Sequence, residues 1–281
     1  MPRAMPELPE VEMVARHLRR LLVGHTIVKA QLRWPRLAPE HSPRQFAAWL
    51  KGAQVESVTR RGKYILTNFA NGRTLLTHLR MTGRFLYVEE DVTEPPHTHA
   101  LFWLENGKKL LFNDVRKFGK MYIARTDRLH EVPQLAVLAP EPFNPEFSPD
   151  YLFDTLKRTR QPIKLALLDQ TKVLGLGNIY VSEALHRAQI NPQLPASKLS
   201  RLRAELLHHE IVNVLNEAIA NDSTLNTDPT DLDMGYTGGV YESMTRVYER
   251  EGLPCLTCAR PISRIVQGQR STYFCPQCQR R

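Results

Sequence analysis

Four cysteines in two pairs constrain this chain more than any other feature. Cys255-x-x-Cys258 and Cys275-x-x-Cys278 are separated by sixteen residues near the carboxyl end, and the chain holds no further cysteine. Each pair is a tight turn that can offer two sulfurs to one tetrahedral ion, and the spacing is that of a four-thiolate zinc ribbon with a β-hairpin between the turns. Cysteines gathered in this way argue for a metal and against a disulfide framework. Four ligands leave the ion no open position. The expected cofactor is therefore one structural zinc on Cys255, Cys258, Cys275 and Cys278, folding a hairpin too small to bury a core of its own. Gly268-Gln269-Arg270-Ser271 rides on that hairpin.

The charge balance points the ribbon toward a polyanion. The net charge is +9 over 281 residues, and beyond Glu251 no Asp or Glu remains while Arg260, Arg264, Arg270, Arg280 and Arg281 do. Two domains are expected from the length. No run approaches the ~20 apolar residues of a membrane span, and no signal-peptide core is present. A soluble, cytoplasmic protein is the expectation.

Hydrophobic periodicity orders the rest. Val11, Val14, Leu18 and Leu21 recur at helical spacing from Pro9 to Val23, with Pro9 suited to the first helical position and Gly24 to the stop. Glu7 and Glu10 fall at the amino end of that helix, where its dipole favours negative charge. Eight short strands follow, over 26–32, 54–59, 64–69, 74–79, 84–88, 101–104, 110–112 and 120–124, with Asn71-Gly72 and Asn106-Gly107 as hairpin signals. An antiparallel sandwich or barrel is expected. Five prolines between 131 and 149 mark a linker. Helices follow over 149–159, 162–169, 178–188 and 200–220, the last capped by Ser200, and residues 221–245 read as a mobile loop.

Several stretches carry chemistry. In Met5-Pro6-Glu7-Leu8-Pro9-Glu10, a proline after a methionine could become a free secondary amine. An α-amino group titrates near ~8, so roughly a tenth is unprotonated at neutral pH, and it can form an iminium link to an electrophilic carbon. Met1-Pro2-Arg3-Ala4 precede it, and while they remain the Pro6 nitrogen is an amide. The stretch also reads as a proline-punctuated helix entry. Gly175-Leu176-Gly177-Asn178 can aim backbone N–H groups at a phosphate, or be an ordinary helix-to-helix link. Arg60-Arg61-Gly62-Lys63-Tyr64 reads first as a solvated strand edge. His78-Leu79-Arg80-Met81-Thr82-Gly83 and Asp114-Val115-Arg116-Lys117-Phe118-Gly119 could be packing. Together they supply an apolar wedge, an arginine and an aromatic, the kit with which proteins unstack a base pair. His97-Thr98-His99 lacks a third metal ligand nearby, and His208-His209 reads as surface.

In this order these pieces resemble the formamidopyrimidine-DNA glycosylase (Fpg/Nei) family over essentially the whole chain from Met5. The resemblance rests on the Pro-Glu-Leu-Pro-Glu-Val-Glu start, the Lys-Tyr strand, the His-Leu-x-Met-x-Gly turn, Asp-x-Arg-x-Phe-Gly, Gly-x-Gly-Asn-Ile-Tyr and a zinc ribbon containing Gln-Arg. It implies an α+β fold: an N-terminal helix plus antiparallel β-sandwich over 5–130, a linker over 131–147, a helical helix-two-turn-helix domain with a mobile loop over 148–245, and a zinc ribbon over 246–281. It implies a bifunctional glycosylase and abasic-site lyase acting as a monomer on damaged double-stranded DNA at the nucleoid. By matching motifs, Pro6 is the nucleophile, Glu7 the acid/base carboxylate, Glu10 its support, and Lys63 and Arg270 cations that assist elimination. His97, Arg116, Arg160, Lys164 and Asn178 fall at DNA-contacting positions, and Met81, Arg116 and Phe118 at those that fill the hole left by a flipped base. Two departures stand out. Met234-Gly235-Tyr236-Thr237-Gly238-Gly239 occupies the place of a Gly-Lys-Pro-Gly-Tyr-Phe-like run, which leaves the lesion open, and Arg80 stands where a glycine is common. If Met1 to Ala4 are retained, the alternative is a lesion-binding protein that cannot cut; an RNA- or ribosome-binding zinc ribbon is a third reading.

Overall fold

A computed structural model of the chain describes residues 5–231 and 239–280. The chain divides into two compact units, Met1–Ala136 with Thr224–Gly239, and Val137–Ser223 with Val240–Arg281.

The first unit begins with α1 (Leu8–Leu22). Glu7 caps it, and the Glu7 N–H donates to Glu10 Oε2 at 2.9 Å, so an otherwise unpaired amide of the first turn has a partner. The helix opens at Leu8, which puts Pro9 second rather than first, and the chain leaves it through Gly24 at φ +88°. The apolar face of Val11, Val14, Ala15 and Leu18 is at most 1% exposed and belongs to the sandwich core.

All eight expected strands form: β1 (Thr26–Leu32), β2 (Ala53–Arg61), β3 (Tyr64–Phe69), β4 (Arg73–His78), β5 (Arg84–Glu89), β6 (Thr98–Leu104), β7 (Lys108–Asn113) and β8 (Lys120–Arg125). They are antiparallel in the order β5-β7-β6-β1-β2-β3-β4-β8. β1 and β2 share only the register pairs Thr26–Gln54 and Ile27–Ala53, which leaves two four-stranded halves. Phe85, Phe102 and Phe112 from one half and Ile65, Phe69 and Leu75 from the other enter a single core. β6 and β7 run further than their apolar centres suggest. The added polar ends are buried with partners: His99 Nε2 lies 2.9 Å from the Asp114 carbonyl, and Asn113 Nδ2 donates to the Pro96 carbonyl at 2.6 Å.

One helix was not expected from periodicity. α2 (Pro43–Leu50) follows Ser42, whose hydroxyl accepts the Gln45 N–H at 3.1 Å, with Pro43 first in the helix. At eight residues it shows too few turns for an apolar repeat, burying only Phe46 and Leu50; its cap was the readable signal. A short turn, α3 (Pro133–Ala136), completes this part.

The second unit contains α4 (Pro149–Lys157), α5 (Ile163–Leu168), α6 (Asn178–Arg187) and α7 (Arg201–Ala220), with the Ser148 and Ser200 hydroxyls capping α4 and α7. His208 is half-buried instead of a surface residue, its ring stacked 4.9 Å from that of Phe147. The unit ends in the antiparallel hairpin β9 (Ser263–Gln267) and β10 (Arg270–Phe274). Among the described residues no helix is long and apolar enough to cross a membrane.

The stretch read as one mobile loop divides. Thr224 to Asp231 packs with the sandwich, where Leu225 joins the core and the Pro229 carbonyl accepts the Tyr87 N–H at 2.8 Å. Val240–Met244 forms a turn of 3-10 helix in the second unit. Met1 to Ala4 and the distinctive run from Met234 to Gly238 lie outside the described residues.

Candidate active site and zinc ribbon

Strand register gathers the chemistry-bearing residues of the first unit at one end of the sandwich. Arg61 pairs with Tyr64 across the Gly62-Lys63 turn, Tyr64 pairs with His78, and His78 pairs with Lys120. That end therefore presents Lys63, the β4–β5 turn with Met81, and the β7–β8 turn with Arg116 and Phe118. Arg60 brings the start of α1 to the same end, since its Nε donates to Glu12 Oε2 at 3.1 Å. His97, exposed at φ +68°, is tied in by its carbonyl, which accepts the Asp114 N–H at 3.0 Å.

The carboxylates and the lysine here are buried: Glu7 is 2% exposed, Glu10 0% and Lys63 5%. Pro6 is buried with them. Charged groups are rarely placed so without a job or a tight set of partners. Glu10 has both. Besides the Glu7 amide, its Oε1 accepts from the Thr224 hydroxyl at 2.8 Å and the Thr224 N–H at 3.2 Å. The basic cluster is thus not the solvated edge expected from its composition. The Arg60 side chain is 8% exposed and fixed to Glu12 and to the Gly62 carbonyl, and Lys63 projects from a turn held at both sides.

The β4–β5 and β7–β8 turns contain two residues in left-handed backbone, Arg80 at φ +56° and Lys117 at φ +59°. Glycine adopts that conformation at least cost, which gives the physical reason for a glycine at position 80. His78 steadies the turn instead: its Nδ1 accepts the Arg80 N–H at 3.0 Å and its ring meets Tyr64 edge-on at 4.7 Å. Burial first, then the Arg80 and Lys63 charges, lower the His78 pKa from 6.5 to about 3. The unfolded chain takes up this proton below pH 6.5 while the folded chain stays neutral until about 3, so the stability present above 6.5 is lost as the pH falls. Thermal melts should show a steeper fall below pH 6.5 for the wild type than for His78→Gln, whose amide oxygen can still accept the Arg80 N–H. Parallel pH profiles would remove His78 from this account.

In the second unit the hairpin turns through Gly268 (φ +52°) and Gln269 (φ +61°), the two-residue connection with positive φ at both positions that suits twisted strands. Arg270, exposed, is the first residue after it. α5 braces the hairpin. A Cβ on Gly268 would lie 3.0 Å from Leu165 Cδ2, and Lys164 Nζ donates to the Ser271 carbonyl at 2.8 Å and the Thr272 hydroxyl at 2.7 Å. Lys164 is 0% exposed. Its ammonium, enclosed against β10, positions the strand that carries Arg270. Arg160 is exposed between α4 and α5, and Asn178 opens α6 with Gly177 as its cap. The Asn178 Oδ1 is buried without a hydrogen-bond partner.

The four sulfurs lie within 4.8 Å of one another, with Cys255–Cys278 at 3.9 Å and Cys258–Cys275 at 3.4 Å. Tetrahedral zinc with Zn–S bonds of ~2.3 Å sets neighbouring sulfurs about 3.8 Å apart. The residues fit one structural zinc. Two supporting residues escaped sequence reading. Glu183, 0% exposed, accepts the backbone N–H groups of Arg246, Val247 and Tyr248 at 2.8, 3.0 and 2.9 Å and so fixes the chain entering the ribbon. His186 Nε2 lies 3.6 Å from Cys255 Sγ. Glu183 and His186 sit on the same helix three residues apart, and nothing in that spacing announces either partner.

Fold and site together define a zinc-ribbon protein that gathers buried carboxylates and cations at one end of a helix-capped sandwich. Comparison with known proteins makes this specific. Residues 5–121 match the formamidopyrimidine-DNA glycosylase N-terminal domain, 138–229 the H2TH domain of the same glycosylases, and 252–281 the zinc finger found in FPG and IleRS. Formamidopyrimidine-DNA glycosylases of Desulforamulus reducens and Chloroflexus aurantiacus are 42% and 44% identical over 277 residues, spanning 98% of this chain and 99% and 98% of theirs. A Lactococcus lactis Fpg complex with FAPY-dG DNA superposes with a TM-score of 0.90 at 32% identity, covering 98% of this chain and 100% of that one. An abasic-site complex of the L. lactis protein gives 0.91 over the same share. The chain belongs to the formamidopyrimidine-DNA glycosylase family.

Proposed function

We propose that this protein excises oxidised bases, of the purine and formamidopyrimidine type, from duplex DNA and then cuts the strand at the abasic site. The observation that carries the reading is the buried acidic run from Pro6 to Glu10 at the end of the sandwich where Lys63 and the wedge turns project. Support comes from whole-length relatives of that name and from the DNA complexes of a structural neighbour.

In this reading the chain starts at Pro6. The secondary amine attacks C1′ of the damaged nucleotide, the C1′–N bond breaks, and the base leaves with a proton relayed by a carboxylate, assigned to Glu7. The sugar, opened and joined to proline as an iminium, now has acidic C2′ hydrogens. Loss of one expels the 3′ phosphate, and a second elimination releases the 5′ phosphate. Lys63 in the first unit and Arg270 on the ribbon stabilise the phosphates as they leave, and His97, Arg116, Arg160 and Asn178 hold the duplex. Glu10 aims the helix entry. Electrons balance without an oxidant or reductant, and the ribbon zinc, closed by four thiolates, supplies fold and not chemistry. A duplex substrate also places the working enzyme at the chromosome.

Borohydride trapping tests this. With a chain beginning at Pro6, the reductant should link an oxidised-base duplex covalently to the amino terminus. The family match opens at residue 5, which favours Met5 as the start, with that methionine then removed. Mass spectrometry of the native protein decides: a mature Pro6 end supports the enzyme. Retained Met1 to Ala4 together with absent trapping would leave a protein that binds lesions without cutting.

A further inference from the structure

The wedge assigned to Met81, Arg116 and Phe118 is spread over two turns separated by more than thirty residues of sequence. Each turn crosses from one half of the sandwich to the other, the first from β4 to β5 and the second from β7 to β8. Nothing in the chain connectivity obliges them to move together. The structure joins them at one side chain.

Asp114 is 1% exposed. Its Oδ1 accepts the Thr82 hydroxyl, in a short hydrogen bond from the Met81 turn, and the Arg116 N–H at 3.2 Å. Its Oδ2 accepts the Gly119 N–H at 2.7 Å, closing the other end of the Arg116 turn. Thr82 adds a second link, since its oxygen also accepts the Arg116 N–H at 3.1 Å. Beneath the carboxylate, both turns rest on the same ring. A Cβ on Gly83 would fall 2.8 Å from Phe112 Cζ, and one on Gly119 would fall 2.7 Å from that atom. Neither position accepts a side chain unless Phe112, 0% exposed in the core, gives way. The exposed tip is ordered too, with the Arg116 guanidinium 4.9 Å over the Phe118 ring.

We propose that Asp114 is a positioning residue that locks the two turns into one rigid wedge, so that Met81, Arg116 and Phe118 enter the base stack as a unit. The proposal rests on the wedge reading of those three residues. Its physical basis is preorganisation: opening a base pair costs unstacking energy, and a wedge ordered during folding spends none of its contact energy on ordering itself at the DNA. Asp114 and Thr82 touch no reacting atom. Their effect should fall on getting the base out and spare the chemistry on the sugar.

Two substrates separate these effects: a duplex with an oxidised base, and a duplex with a ready-made abasic site that has no base to expel. Thr82→Val removes the bridging hydroxyl while leaving the bonds of Asp114 to its own turn, and Thr82→Ser restores it. Thr82→Val should slow single-turnover excision from the oxidised-base duplex about tenfold, the scale of one lost hydrogen bond to a charged group. The fluorescence rise of a 2-aminopurine beside the lesion should slow in step. Cleavage of the abasic duplex and its borohydride trapping should stay within about twofold of wild type, a margin worth under half a kcal/mol. Asp114→Asn, which turns an acceptor into a donor, should act in the same direction and more strongly. Equal losses on both duplexes would mean a merely structural role, and no loss on either would mean uncoupled turns; each overturns the proposal. A variant with Met81, Arg116 and Phe118 all changed to alanine guards the premise. If that variant extrudes the base normally, the wedge reading fails. If it is slow while Thr82→Val is normal, only the coupling fails.

Discussion

Changing Pro6 to glycine in a chain that begins there is expected to lower strand cleavage by about a hundredfold or more, with duplex affinity hardly altered. The amine survives in that variant, so the loss has to come from its form. A proline adduct is an iminium whose positive charge needs no added proton, whereas a glycine adduct is an imine that must be protonated before it can draw electrons from C2′. The ring also fixes the direction of the nitrogen lone pair, and glycine at a chain end gives up that aim. Single-turnover cleavage and filter binding on the same oxidised-base duplex provide the measurement. Cleavage at the wild-type rate would remove Pro6 from the mechanism.

The second large effect is expected at the ribbon. Cys275, 0% exposed, contributes one of the four sulfurs, and its N–H donates to Gln279 Oε1 at 2.8 Å. Structural zinc in small ribbons carries roughly 10 kcal/mol of folding free energy, and among the described residues the apolar cluster there holds only Val247, Ile262 and the partly buried Tyr273 besides the four cysteines. Cys275→Ser should therefore unfold the hairpin while the sandwich melts as before. Arg270 goes with it, so DNA affinity should fall at least about tenfold and lose part of its salt dependence. Zinc content by atomic absorption, read beside binding at two salt concentrations, tests both halves. Full affinity without zinc would show that the ribbon does not touch DNA.

Where the pattern repeats, sequence was enough: strands of the sandwich follow from alternation and the Asn-Gly turns, and α7 from its period and Ser200. The zinc site followed from spacing because four sulfurs around one ion leave few arrangements. What stayed hidden depends on the partner. Lys164 looks like any basic residue of a DNA-binding surface until β10 is found bonded to its ammonium. Arg60 looks solvated until Glu12 faces it across 48 residues of sequence. Glu183 carries its meaning in backbone amides far along the chain, and amides have no sequence signature; Asp114 carries its meaning in two amides of its own turn and in a hydroxyl from another turn 32 residues away. Arg80 is the instructive middle case. Its oddity is legible, and its cause, a left-handed turn, is not.

The bond between Glu10 and Thr224 spans 214 residues. Its consequence is temporal. A ribosome releases the helix start and all eight strands long before it makes Thr224, so through most of synthesis the Glu10 carboxylate lacks the partner that its final burial requires. The sandwich can collapse early but cannot seal, and such long-range closure is the slow class of folding event. A nascent chain stopped after the linker would thus carry an open edge where the acidic start belongs. The stretch from Pro6 to Glu10 would gain its fixed geometry only once the helical region beyond it has been built.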